Sequence, residues 1–342
     1  MSAGVASRTP HRSSAWQSEL ARGYRRPDEL LAALGLDPAH LPAARAGHAS
    51  FPVRVPRGFV ARMRHGDPDD PLLRQVLPLA AEQDDDPGFV RDPVGDLSAL
   101  SAPGVLHKYH GRALLITTGA CAINCRYCFR RHFPYGDAHA ARDQWGPALA
   151  YLRGRPELTE VILSGGDPLT LPDHRLAPLA AELDAIGHLR RLRVHSRLPV
   201  VLPERVDDAF VQWFAGGRLQ PVMVLHANHA NELDTSVAAA CDRLRQAGVT
   251  LLNQAVLLRG INDDAASQEA LSERLFAMGV LPYYLHQLDR VAGATHFLVP
   301  DASARALAAA LAERLPGYLV PQLTREDAGA PAKTPLSTPG HG

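Results

Sequence analysis

The chain has almost no lysine. Of its 36 basic side chains only Lys108 and Lys333 are lysines, and the rest are arginines. Arginine serves wherever charge alone is wanted. A lysine kept in such a chain is a candidate for a position that needs an amine able to lose its proton or form a Schiff base. Cysteine is also scarce: there are four, three of them inside eight residues, which excludes a secreted framework of disulfides. Neither sign of charge predominates, 36 basic against 36 acidic, so electrostatics gives no ground for nucleic acid or an anionic membrane as partner. No apolar run reaches bilayer length, and the opening MSAGVASRTPHRSSAWQ lacks the apolar segment of a secretory signal. The expectation is a cytoplasmic protein. Its 342 residues can bury a large core and allow either two domains or one α/β barrel.

Residues 1 to about 25 are polar and rich in Arg and Ser. From Pro27 the stretch DELLAALGL has helical spacing and stops at Gly35. Helical pieces and proline-punctuated loops follow to residue 104, among them Asp84, Asp85 and Asp86, which read as a solvated loop. The rhythm then changes. Residues 113–117, 160–164, 192–196, 221–226, 249–257 and 280–286 read as short apolar strands. Helical stretches alternate with them, such as 177–187 and 237–248. This alternation predicts parallel βαβ units, too few for a closed eight-stranded barrel but enough for an open sheet or a partial barrel. In either case the chemistry belongs at the C-terminal strand ends. Polar clusters occur there: a cysteine loop after the first strand, then SGGDPL, HSRLPVVLP, HANHANE and HQLD.

Cys121, Cys125 and Cys128 form C-x3-C-x2-C. Three soft thiolates on one loop suit zinc or an iron–sulfur cluster. Zinc in a structural site wants a fourth ligand, for which His132 and Cys241 are the candidates. A [4Fe–4S] cluster on three cysteines keeps one iron open to a small molecule. The spacing leaves both choices open; Tyr127 just before the last cysteine, and Gly165-Gly166-Asp167 after the next strand, move the reading to the cluster.

With that loop after the first strand of a βα array, the chain resembles the radical S-adenosylmethionine enzymes, whose fold is a partial (β/α)6 barrel. Within them it is similar to the lysine 2,3-aminomutases. CRYCFRRHF, SGGDPL, SRLPVVLP, HANHANE, LLNQAVLLRGIND, PYYLHQLD and PAKTPL occur in that family's order between residues 105 and 336. The leading segment WQSELARGYRRPDELLAALGL is similar to the shorter members, which serve β-lysylation of elongation factor P. The resemblance implies an N-terminal helical and loop segment at 1–104, a barrel core at 105–290 and a C-terminal segment at 291–342. It also implies that Cys241 is a core thiol, because the cysteine-bearing zinc tail of the longer members has no counterpart here.

The roles it implies are as follows. Cys121, Cys125 and Cys128 bind the cluster, and Tyr127, Gly165, Gly166 and Asp167 lie at S-adenosylmethionine, glycines permitting close approach to backbone. Lys333 carries pyridoxal phosphate, with Lys108 and Tyr109 beside the cofactor and Lys108 at its phosphate. Arg197 binds an anionic group of the cofactor or substrate. Arg130 holds the substrate carboxylate with its planar fork. Asp289 and Glu326 meet the distal ammonium of L-lysine, with Asp327 taking Glu326's part if the register slips by one. The activity implied is an isomerase moving the α-amino group of L-lysine to the β-carbon, yielding (R)-β-lysine for a ligase that modifies elongation factor P, with an external electron donor. Homo-oligomerisation is left open. Two rivals are an aminomutase for another amino acid such as glutamate, and a zinc-bound scaffold without catalysis.

Overall fold

The computed structural model describes residues 14–138 and 145–336. Ten strands make one sheet in chain order: β1 (Leu100–Ala102), β2 (Val105–Tyr109), β3 (Arg112–Thr118), β4 (Glu160–Gly165), β5 (Arg191–Ser196), β6 (Gln220–Leu225), β7 (Thr250–Val256), β8 (Leu281–His286), β9 (Gln322–Arg325) and β10 (Thr334–Pro335). β3 to β9 are parallel, each paired with the next. The antiparallel strands β1, β2 and β10 form the edges. Helices Gly146–Arg153, Asp173–Asp184, Asp208–Ala215, Thr235–Gln246, Ala265–Ala277 and Asp301–Arg314 supply the crossovers. Every predicted strand is present. β1, β2, β9 and β10 were not anticipated; they are too short, or too polar at their exposed positions, to show an apolar run.

Local sequence explains where the crossovers begin and end. Asp207, Asp234 and Asp264 each cap a helix, their carboxylates accepting first-turn N–H bonds. Gly248 ends the fourth crossover with φ +80°, a conformation a side chain would oppose.

Strand alternation then shapes the interior. In β5, Leu192 and Val194 are buried in the main apolar core, which also holds Leu176, Leu179 and Leu183 of the second crossover helix. Arg193 and His195, facing the other way, line a central cavity. The same split puts Leu115 and Leu163 outward into the core and Leu114, Ser164, Gln254 and His286 inward. One cavity bordered by strands from β2 to β8 and by Lys333 beside β10 means that the sheet curls around it. This is the partial barrel. Among the described residues no helix is long and apolar enough to cross a membrane.

Neither flanking segment stands apart. Trp16, Leu30, Phe59 and Leu72 join the same apolar core as the barrel, and β1, β9 and β10 carry the sheet across residues 105 and 290, the borders expected from sequence. The acidic run Asp84–Asp86 is exposed, as expected. Its neighbour Glu82 is fully buried and clamps the leading segment to the cysteine loop. Glu82 accepts Arg126 Nε at 2.8 Å and Arg131 Nη2 at 2.8 Å, and it also pairs with Arg126 Nη2. Both guanidiniums lie over the Phe51 ring, at 4.9 and 4.7 Å.

Removing Glu82 would leave two buried cations facing each other. Glu82→Ala should therefore lower unfolding free energy by about 3–5 kcal/mol, read from chemical denaturation. A loss below about 1 kcal/mol, the range of an exposed pair, would show that the clamp is not structural.

Candidate active site

The loop after β3 is held in place by the leading segment. Asn124 N–H donates to Arg54 O at 2.9 Å, Arg126 N–H to Gln75 O at 2.9 Å, and Asn124 Nδ2 to Pro52 O at 2.9 Å. Cys121, Cys125 and Cys128 all border the central cavity. Burial, reinforced by the neighbouring thiols, raises Cys121 well above its usual range, and burial pushes Cys128 up to about 11. Among the described residues no three His, Cys, Asp or Glu side chains converge on a point that one metal ion could occupy. Three soft thiolates on one loop at the cavity wall fit a [4Fe–4S] cluster that keeps one iron open to a ligand. Neither proposed fourth zinc ligand joins it: His132 pairs through Nε2 with Ala292 O at 3.1 Å. Cys241 is buried in the core on helix Thr235–Gln246, its thiol pushed up to about 12 by burial.

The glycines at the end of β4 serve that loop first. Gly165 has φ +119°, and a Cβ there would meet Thr118 O at 2.6 Å; at Gly166 it would meet Ala120 O at 2.4 Å. The close approach expected for a ligand is thus already used by the loop's own backbone. Asp167 ties the next strand in: its carboxylate accepts Ser196 Oγ at 2.8 Å, Arg197 N at 2.8 Å and Leu169 N at 3.0 Å. Burial pushes that carboxyl up to about 6 against these bonds.

Arg197 lies at the cysteine loop and not at the lysine end of the cavity. Its Nη1 donates to Cys125 Sγ and to Tyr127 Oη, both at 2.8 Å. Its Nη2 donates to Gln75 Oε1 at 2.6 Å and Glu232 Oε2 at 2.9 Å. Asn228 Nδ2 donates to Tyr127 Oη at 2.6 Å and to Gln75 Oε1 at 2.9 Å. Tyr127 is thereby pinned behind the loop.

The other end of the cavity is a chain of alternating charges. Arg130 Nε donates to Asp96 Oδ2 at 2.6 Å, and Lys108 Nζ lies 2.6 Å from Asp96 Oδ1. Lys108 also donates to Glu326 Oε1 at 2.9 Å and Val94 O at 2.8 Å. Lys333 donates to Glu326 Oε2 at 3.2 Å and stands 3.3 Å from His286 Nε2. The two lysines, far apart in sequence, meet on one carboxylate. Burial alone would raise Glu326, but the Lys333 and Lys108 ammoniums hold it down to about 2. Both its oxygens are thus taken by the chain's own lysines, where sequence placed a substrate ammonium. Asp327 is exposed and does not border the cavity.

Asp289 does border it, and among the described residues its carboxylate has no hydrogen bond or ion pair. Burial first, then repulsion from Glu326, pushes it up to about 7 despite Lys333. Arg130 keeps Nη2 free of any such partner, its Nη1 donating to Ser164 Oγ at 3.2 Å. Tyr109 borders the same end, its phenol raised by burial and by Glu326.

Several lining residues were not singled out from sequence. His195, His226 and His286 are all kept neutral by burial, His226 down to about 3. The buried Nε2 of His195 has no partner, and Arg112 makes no ion pair among the described residues, its guanidinium resting 4.6 Å from the Tyr109 ring centroid. The histidines sit in polar strand ends already visible in sequence. Asp96 left no signal, since it lies in an irregular loop. With a lysine amine, an unpaired guanidinium and an orphaned imidazole nitrogen around aromatic walls, this end fits an anionic, carbonyl-bearing cofactor such as pyridoxal phosphate.

Comparison with known proteins gives the following similarities. Residues 115–268 match the radical SAM superfamily. The L-lysine 2,3-aminomutase of Escherichia coli K12 is 51% identical over 329 residues, 96% of each chain. That of Clostridium subterminale is 36% identical over 81% of this chain and 67% of its own. A radical SAM methyltransferase structure from Sphaerobacter thermophilus aligns with a TM-score of 0.46 at 18% identity, over 66% of this chain and 71% of that one.

Because Glu326 is held below its ordinary 4.5, its contribution to stability is complete above that pH and disappears as pH falls toward 2. The stability advantage of wild type over Glu326→Gln should therefore shrink by about 3 kcal/mol between pH 5 and 2, measured by denaturant unfolding. A constant difference would mean that the carboxylate is not paired with the lysines.

Proposed function

The chain belongs to the L-lysine 2,3-aminomutase family, and from that we propose that it moves the α-amino group of L-lysine to the β-carbon, giving β-lysine. It is an isomerase that uses a [4Fe–4S] cluster, S-adenosylmethionine and pyridoxal phosphate. The single observation that best supports this reading is the cavity itself, which gathers three cysteines at one end and both lysines with an unpaired Asp289 at the other. When bound, the cluster and S-adenosylmethionine supply a hydrogen-abstracting radical, and pyridoxal phosphate supplies the carbonyl that carries the migrating nitrogen.

The chain's own residues position and insulate. Cys121, Cys125 and Cys128 hold the cluster, and Gly165, Gly166 and Asp167 set the strand end beside it where S-adenosylmethionine lies. Lys333 offers the only amine at the cavity besides Lys108, and Glu326 keeps it oriented. Lys108, Tyr109 and Arg112 face the cofactor's phosphate end. Arg130, braced by Asp96, presents its free Nη2 to the substrate carboxylate. Asp289 receives the distal ammonium, while Glu326 stays paired with the two lysines. The three neutral histidines add no competing charge. A glutamate side chain would set its carboxylate against that of Asp289, which disfavours that substrate. The family resemblance extends the reading to a cytoplasmic setting, an external electron donor, and a ligase that passes β-lysine to elongation factor P.

Borohydride reduction of the cofactor-loaded protein should fix the pyridoxyl group on Lys333, found by peptide mapping; label on Lys108 would reverse the two lysines' roles.

A buried repelled charge costs several kcal/mol, so L-lysine should exceed L-glutamate by at least about a hundredfold in kcat/KM. With Asp289 at about 7 and its ionised form the one that binds ammonium, KM for lysine should fall as pH rises through 7. Asp289→Asn should flatten that profile and lose most of the preference while iron content and cofactor absorbance stay normal. Equal rates with lysine and glutamate in wild type would sink the substrate assignment.

A further inference from the structure

We propose that Arg197 is a positioning residue that sets the reduction potential of the cluster through Cys125. The proposal rests on the cluster reading given above. Of the three cysteines, Cys125 alone receives a guanidinium hydrogen bond among the described residues, from Arg197 Nη1 at 2.8 Å. The donor cannot wander. Arg197 is buried, its side chain 5% exposed and that of its partner Glu232 fully buried. Four acceptors fix the fork: Cys125 Sγ, Tyr127 Oη, Gln75 Oε1 and Glu232 Oε2. The acceptors are themselves held. Glu232 takes Gln75 Nε2 at 3.0 Å and the Asn228 N–H at 2.9 Å. Gln75 comes from the leading segment, Tyr127 from the cysteine loop, and Glu232 with Asn228 from the loop after β6, so three separate parts of the chain aim one N–H at one sulfur.

Such a bond acts on the cluster's electron affinity. Reduction adds one electron from an external low-potential donor; the cluster charge falls by one, and no covalent bond forms or breaks. The added charge is shared by the ligand sulfurs, so an N–H aimed at one of them stabilises the reduced form more than the oxidised form and raises the potential. Glu232 works the other way. Its carboxylate cancels much of the guanidinium's charge, so the net influence on the cluster is a directed bond and not a bare cation. Arg197 and Glu232 thus form an opposed pair acting on one ligand.

The test uses the full chain, reconstituted anaerobically with iron and sulfide, without S-adenosylmethionine or substrate, and titrated with dithionite while the reduced cluster is followed by EPR. Arg197→Gln should shift the midpoint to more negative potential and Glu232→Gln to more positive, each at wild-type iron content. A merely structural role would not give shifts of opposite sign. Unchanged potentials, or shifts in the same direction, overturn the proposal. If both variants lose iron, wild type labelled with 15N in the arginine guanidino groups decides. A 15N hyperfine coupling on the reduced cluster supports the Arg197–Cys125 bond, and its absence overturns it. A wild-type chain that takes up no iron refutes the cluster reading and this one with it, whereas normal uptake with unmoved potentials refutes this one alone.

Discussion

The carboxylate of Glu326 is the constraint on which the cavity depends. It joins the chain's only two lysines and continues through Lys108 to Asp96 and Arg130. Each charge in that line is buried or half-buried, and each is tolerable only because its neighbour has the opposite sign. The backbone is arranged to maintain it. β9 and β10 pair directly, Thr334 against Arg325, and Thr324 Oγ1 donates to Thr334 O at 3.0 Å. This short pair sets Glu326 and Lys333 at the two ends of one turn. The segment that ends in Lys333 is therefore tied to the sheet, placed by the same ladder that closes the edge of the barrel.

Around that line the barrel separates two kinds of chemistry. At one end the thiols are backed by a hydrogen-bonded network of Gln75, Tyr127, Arg197, Asn228 and Glu232. At the other end the polar groups are charged or, among the described residues, unpaired, as Asp289 and Arg130 Nη2 are. Between them His195 and His226 remain neutral because burial penalises their charged forms. A radical reaction benefits from such a wall, which offers no acid at neutral pH.

The leading segment is part of this machinery. Its helices share the barrel's core, Glu82 clamps the arginines of the cysteine loop, Gln75 holds Arg197 behind the cysteine end of the cavity, and Asp96 borders the other end. Both ends of the cavity are thus supported by residues that precede the barrel in the chain.

Sequence by itself determined the parallel βα architecture and the three-cysteine loop. Those follow from local signals: strand periodicity and ligand spacing. It also marked Arg130 and Asp289, through resemblance to a family, at positions the structure brings to one cavity. Only the tertiary structure decided who partners whom. It put Arg197 on a cysteine instead of at the lysine end, gave both oxygens of Glu326 to lysines, set the glycine pair against the loop backbone, and brought in Asp96 and Gln75 from irregular segments with no motif. Such pairings depend on the fold closing residues 218 positions apart, Lys108 and Glu326, to hydrogen-bond distance. Local spacing carries no record of a contact that exists only once the sheet has curled.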